Sequence, residues 1–146
     1  MAQPELRSFL DRSFVIFGRE APGAYGRLCQ ALAGLRMRVT DGDAQFALRS
    51  EAQCMVSDDA QGDEPILVTI ERDTLLALAD GAVSIEEALR ADGLFVRASV
   101  PHAAITFDAL SIYLNGAIRC RSFPALLADF RSRHSGEHHH DIRTKS

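Results

Sequence analysis

The sequence predicts an α+β domain in which one small sheet of five strands is covered by helices. Three observations carry this reading. Apolar residues recur at spacings of three and four near both ends of the chain, the period drops to two over residues 36–57 and again at 66–70, and two short capped helices separate the fourth strand from the fifth. Strands and helices therefore come in runs, which argues against a doubly wound parallel sheet.

In chain order, Leu6, Phe9, Leu10, Phe14 and Phe17 share one face of a helix expected over 5–17, with Glu5, Arg7, Asp11 and Arg12 opposite and Gly18 as a stop. A second helix opens at Pro22, where the missing N–H costs nothing, and runs through Tyr25, Leu28, Cys29 and Leu32 to Gly34. Met37 and Val39 then alternate with Arg36, Arg38 and Thr40. Asp41-Gly42 supplies turn chemistry and the alternation resumes from Gln45 to Arg49, so a hairpin is expected. A strand at 52–57 extends it to a meander, an acidic loop at 58–64 forms a solvated tip, and Ile66 to Ile70 makes the fourth strand. Asp73 is expected to cap a helix over 74–80 that stops at Gly81, and Ser84 with Glu87 three residues on forms a capping box for the next. Leu94 to Ser99 reads as the fifth strand, bounded by Pro101. The remainder is helical, with Phe107, Leu110, Tyr113, Leu114, Ala117 and Ile118 on a wide apolar arc, followed by Phe123, Leu126, Leu127 and Phe130 at i, i+3, i+4 and i+7. Residues 135–146 are polar and read as a disordered tail, leaving a single domain over 1–134.

Length and composition bound the function. A chain of 146 residues buries roughly two thirds of its unfolded surface around one core. Its longest apolar runs are far below the roughly 20 residues that a membrane-spanning helix needs, so no stable membrane insertion is expected. Charges are scattered through the N-terminal residues, unlike a secretory signal, which places the expected location in the cytoplasm. The three cysteines, Cys29, Cys54 and Cys120, are widely spaced without a C-x-x-C pair and read as small buried hydrophobes. A net charge of −4 disfavours nucleic acid as a partner. That charge is uneven: residues 58–92 hold ten acidic and two basic side chains, a stretch able to steer a protein partner.

Phosphate-loop, dinucleotide, metalloprotease and hydrolase motifs are all missing from the sequence, so no cofactor, metal or catalytic residue is expected. His138, His139, His140 and Asp141 form a weak metal candidate on a polar tail with no framework to orient them. His102 and Asp108 are candidate acid–base groups at a pocket mouth, with surface or capping roles as the plainer reading. Tyr113 either points its hydroxyl into a cavity or is a core aromatic whose tip is satisfied. The last two helices carry Phe107, Tyr113, Phe123 and Phe130, more large aromatic surface than one small sheet needs. Such an excess closes a dry cavity, completes a full core or meets a second copy in a homodimer.

Three stretches carry a resemblance. They are Leu35-Arg36-Met37-Arg38-Val39-Thr40-Asp41-Gly42, then Ile66 through Gly81, in which a strand leads into a helix ending at glycine, and Ile85 through Val96, in which a helix closes on Gly93 and launches a strand. By their order and spacing, residues 35–134 resemble the sterol carrier protein-2 family. One departure is Ala98-Ser99, where that family often has Gly-Asp after the last strand. The resemblance implies a five-stranded mixed sheet covered by helices, with an apolar tunnel between them that takes fatty acyl chains, sterols or other hydrophobic molecules. The helical wall of that site would comprise Phe107, Leu110, Tyr113, Leu114, Phe123, Leu126, Leu127 and Phe130, facing Phe46, Leu48, Val56 and Val68 of the sheet.

The first functional expectation is therefore binding or transfer of a hydrophobic small molecule or lipid, driven by burial at about 0.8 kcal/mol per CH₂ before ordering costs. The alternatives are an enzyme such as a cyclase or isomerase using the same cavity, and a scaffold subunit whose helical faces hold a partner. Carrier and enzyme part on whether two or more of His102, Asp108 and Tyr113 converge inside the cavity.

Overall fold

The structure, a computed structural model, describes residues 5–42, 44–51, 53–57 and 65–132. The N-terminal stripe forms α1 (Glu5–Glu20), and Pro22 opens α2 (Pro22–Ala31). Helix α1 continues through Gly18 instead of stopping there. An interior glycine costs about 1 kcal/mol relative to alanine, and the extra turn carries Glu20 to Ser122, whose backbone N–H donates to the Glu20 carboxylate at 2.9 Å.

Period-two alternation becomes the hairpin of β1 (Arg36–Asp41) and β2 (Ala44–Ser50), with Met37 opposite Leu48 and Val39 opposite Phe46. Strand β3 (Cys54–Ser57) continues the meander, pairing antiparallel with β2. Strand β4 (Ile66–Ile70) returns parallel to β1, placing Val68 opposite Val39. The helices α3 (Arg72–Ala79) and α4 (Ile85–Arg90) then lead into β5 (Leu94–Arg97), antiparallel to β4. The order β3-β2-β1-β4-β5, with one parallel pair in its middle, makes the five-stranded sheet mixed.

Two helix starts differ from expectation. Helix α3 begins at Arg72 with Glu71 at the N-cap position and no side-chain cap. Asp73 lies instead in the first turn, where a carboxylate suits the positive end of the helix. The early start is anchored by Arg72, whose Nε donates to the buried carboxylate of Asp41 at 2.9 Å. Pro101 does not close β5; it sits in the first turn of α5 (Val100–Ala117), and the Ser99 hydroxyl accepts the His102 N–H at 3.4 Å. The capping box of α4 forms as expected: Ser84 Oγ accepts the Glu87 N–H at 3.1 Å, and the Glu87 carboxylate accepts the Ser84 N–H at 2.8 Å.

A sixth helix, α6, covers residues 123–132. It packs on α1 through Phe9, which stacks on Phe130 at a ring separation of 4.6 Å and meets Phe123 edge-on at 5.8 Å. Phe17 stacks on Tyr113 of α5 at 5.0 Å. The apolar stripe of α1 is thus packed within its own chain. Gly116 permits the closeness of α5 to the first two helices: a Cβ there would lie 3.0 Å from the Phe17 ring and 3.1 Å from Ala24 Cβ. No helix among the described residues is long and apolar enough to cross a membrane. The acidic loop at 58–64 and the tail at 135–146 lie outside the described residues.

Candidate functional site

Between sheet and helices lies a cavity of about 110 Å³. Its walls follow from simple periodicities. Alternate residues of the strands reach it: Met37 and Val39, Leu48, Val68 and Ile70, Leu94 and Val96. Helix α5 contributes Thr106, Ala109, Leu110 and Tyr113, one face at i, i+3, i+4 and i+7. Helix α1 adds Leu6, Leu10 and Phe14, one residue per turn. Leu28 of α2, Leu32 just beyond it and Leu75 of α3 complete the lining.

Among the described residues, only Thr106 and Tyr113 bring polar side-chain atoms to this wall, and both are engaged. The Tyr113 hydroxyl donates to Ser13 Oγ at 2.8 Å, and Ser13 Oγ donates in turn to the Leu10 carbonyl at 2.7 Å. Thr106 Oγ1 donates to the His102 carbonyl at 2.8 Å, a back-bond within α5. Burial pushes the Tyr113 phenol well above its usual range, so the ring stays neutral. Both readings of Tyr113 therefore hold in part, since its ring lines the cavity while its tip is satisfied elsewhere. His102 is half-buried in the first turn of α5 and Asp108 is exposed, and neither lines the cavity. The three polar residues do not converge, and what the lining offers is desolvation and dispersion.

Of the residues expected at the site, Leu48, Val68, Leu110 and Tyr113 line the cavity. Phe46 shares a strand face with Leu48 but sits one pairing step away, fully buried opposite Val39. Phe123, Leu126, Leu127 and Phe130 are buried on α6, with Phe123 and Phe130 packed against Phe9. Phe107 and Leu114 are half-buried on α5, turned from the face at 106, 109, 110 and 113. Val56 lines a separate recess at the surface. Missing from the expected set were Leu6, Leu10, Phe14, Leu28 and Leu32, which precede the stretch that carried the resemblance, and also Met37, Val39, Ile70, Leu75, Leu94, Val96, Thr106 and Ala109 within it.

Two other features of the chain's chemistry are settled locally. All three cysteines are buried free thiols, and Cys29 and Cys54 approach to 3.5 Å between sulfurs. Burial, followed by the hydrogen bond shared with Cys29, pushes the Cys54 thiol up to about 12. No cluster of three or more His, Cys, Asp or Glu among the described residues is placed to hold a metal, and His138–His140 fall outside them.

A mixed sheet of this strand order, backed by helices over an apolar cavity, defines a class of small α+β domains. No family model and no curated protein matches the sequence, whereas solved structures match the fold. The sterol carrier protein domain 2 of Helicoverpa armigera superposes with a TM-score of 0.60 at 9% identity, over 78% of this chain and 94% of that one. The structure titled UbiJ-SCP2, a ubiquinone synthesis protein, superposes with a TM-score of 0.57 at 18% identity, over 77% of this chain and 88% of that one. The chain has the sterol carrier protein-2 fold.

Proposed function

We propose that this protein binds and carries a hydrophobic small molecule in the cavity between sheet and helices. The observation that carries this reading is a wall whose only polar side chains among the described residues, Thr106 and Tyr113, already have partners inside the protein. A ligand there gains by leaving water and meets no unsatisfied polar group. The fold supports the same reading, since its structural relatives include a sterol carrier domain. In this proposal Leu48, Val68, Leu110 and Tyr113 touch the ligand. Phe46, Leu114, Phe123, Leu126, Leu127 and Phe130 stand behind the wall, while Phe107 lies apart from the core cluster and Val56 lines the separate surface recess.

A volume of about 110 Å³ sets a condition on this function. Small-molecule sites typically span about 300–1,000 Å³, so an acyl chain or sterol needs more room than this cavity gives in the present form. The extended tunnel of the resemblance is then the ligand-bound form of this smaller cavity. The test is native mass spectrometry of protein purified from cells, with organic extraction of whatever is retained. A co-purified apolar molecule, released by solvent and rebound by the emptied protein, is expected. Protein that carries nothing and takes up no apolar molecule offered to it would contradict the proposal.

A further inference from the structure

A second depression of about 440 Å³ opens at the surface where α1 passes the edge strand β3. Asp11, Phe14, Val15 and Gly18 of α1 form one of its sides, again at i, i+3, i+4 and i+7, and Tyr25, Gln53 and Cys54 contribute to its other side. Phe14 belongs to both walls: it closes the inner cavity on one side and floors the recess on the other. Its ring is held by an edge-on contact with Tyr113 at 6.2 Å and by no polar group. Phe14 therefore stands between the two spaces. Their combined size falls within the ordinary range for small-molecule sites, about 300–1,000 Å³, which the inner cavity alone does not reach.

The two spaces differ in chemistry. The inner one has no polar atom to spare. The outer one presents the exposed Gln53 amide, the exposed Asp11 carboxylate and the Tyr25 hydroxyl, which accepts the Cys54 N–H at 3.0 Å. Val15, 59% exposed, adds an apolar rim. Asp11 is the one ionised side chain among the residues lining the recess. A carboxylate head would meet a like charge there, whereas a hydroxyl can donate to Asp11 and accept from Gln53.

We propose, building on the carrier reading, that ligand enters between α1 and β3 with Phe14 as the gate, and that it is an amphipath with an uncharged, hydrogen-bonding head that stays in the recess. Tail and head would then be sorted by Phe14, with the tail in the inner cavity and the head outside.

The test uses the full chain with two probes that share one pyrene-labelled tail, a long-chain alcohol and the matching carboxylate, at neutral pH and low salt. The alcohol is expected to bind more tightly. Asp11→Lys, an exposed change on α1, should tighten the carboxylate by roughly threefold or more, as expected for a surface charge interaction, and weaken the alcohol, whose hydroxyl loses its acceptor. Added salt should erase that gain. Phe14→Ala should speed association of both probes and Phe14→Trp should slow it. Binding of both probes with the same preference in Asp11→Lys as in the parent would overturn the placement of the head. Unchanged association rates in both folded Phe14 variants would overturn the gate. Failure of the parent to bind either probe would overturn the carrier reading and this inference with it.

Discussion

The hydroxyl of Tyr113 on α5 donates to Ser13 Oγ on α1 at 2.8 Å, and this bond keeps a phenol at the cavity wall from facing a ligand with an unpaired donor. The two partners are not equivalent. Ser13→Ala strands a buried phenolic hydroxyl and should lower stability by about 1–3 kcal/mol. Tyr113→Phe removes the donor itself, while Ser13 keeps its bond to the Leu10 carbonyl, so the loss should be closer to about 1 kcal/mol. Chemical denaturation of the two single variants and the double variant measures the order, and Tyr113→Phe proving the more damaging would contradict it.

Gly93, where α4 hands the chain to β5, is crowded by α3: a Cβ there would lie 2.1 Å from Thr74 Oγ1 and 3.1 Å from Thr74 Cβ. Gly93→Ala should therefore destabilise strongly. Thr74→Ala removes the nearest atom, so the double variant should recover most of the loss. Melting temperatures of the four proteins test the coupling, and strictly additive effects would show that some other contact decides the position.

Glu20 ties the end of α1 to the start of α6, with its carboxylate accepting both the hydroxyl and the N–H of Ser122. The Ser122 hydroxyl, followed by the N–H, holds this carboxyl below the usual carboxylate range. The folded pKa is thus lower than the unfolded one, about 4.3. Its contribution to stability is complete above that unfolded value and is lost as pH falls through the folded one. Glu20→Gln should flatten the acid limb of stability against pH. An acid limb as steep as the parent's would show that Glu20 contributes nothing to it.

Cys54 works in the opposite direction. An unfolded thiol titrates near about 8.5, whereas the folded one is pushed up to about 12, chiefly by burial. The folded state therefore holds its proton more tightly, and the resulting stability is complete below the unfolded value and is lost as pH rises toward the folded one. Stability should fall from about pH 9 upward, less steeply in Cys54→Ala. Equal alkaline slopes in the two proteins would contradict the assignment.

Much of the fold was readable because local chemistry decides it. Met37 and Val39 alternate with arginines and threonine, Asp41-Gly42 turns the chain, and the sheet pairs in the register those residues demand. Ser84 and Glu87 close their box because both partners lie within four residues. What misled was punctuation that tertiary contacts overrule: Gly18 is carried through by the Glu20–Ser122 tie, and Arg72 starts α3 early by reaching Asp41. Periodicity ranks residues by burial but does not separate a cavity wall from the layer behind it. Phe46 and Leu48 point to the same face of β2, yet only Leu48 borders the cavity. For the same reason α6, rich in aromatic residues, was expected at the site, while the stripe on α1 that forms a wall was not.

The central claim is tested most directly at Ala109, a buried residue of α5 on the cavity wall. Leucine there adds three carbons to a space of about 110 Å³ without changing the polar network. The measurement is equilibrium titration of parent and Ala109→Leu with one apolar fluorescent probe, alongside their melting temperatures. The account predicts that the parent binds, and that the filled variant melts no lower while losing at least about tenfold in affinity, equivalent to about 1.4 kcal/mol. A folded Ala109→Leu protein that binds the probe as tightly as the parent would contradict the claim that this cavity is the site.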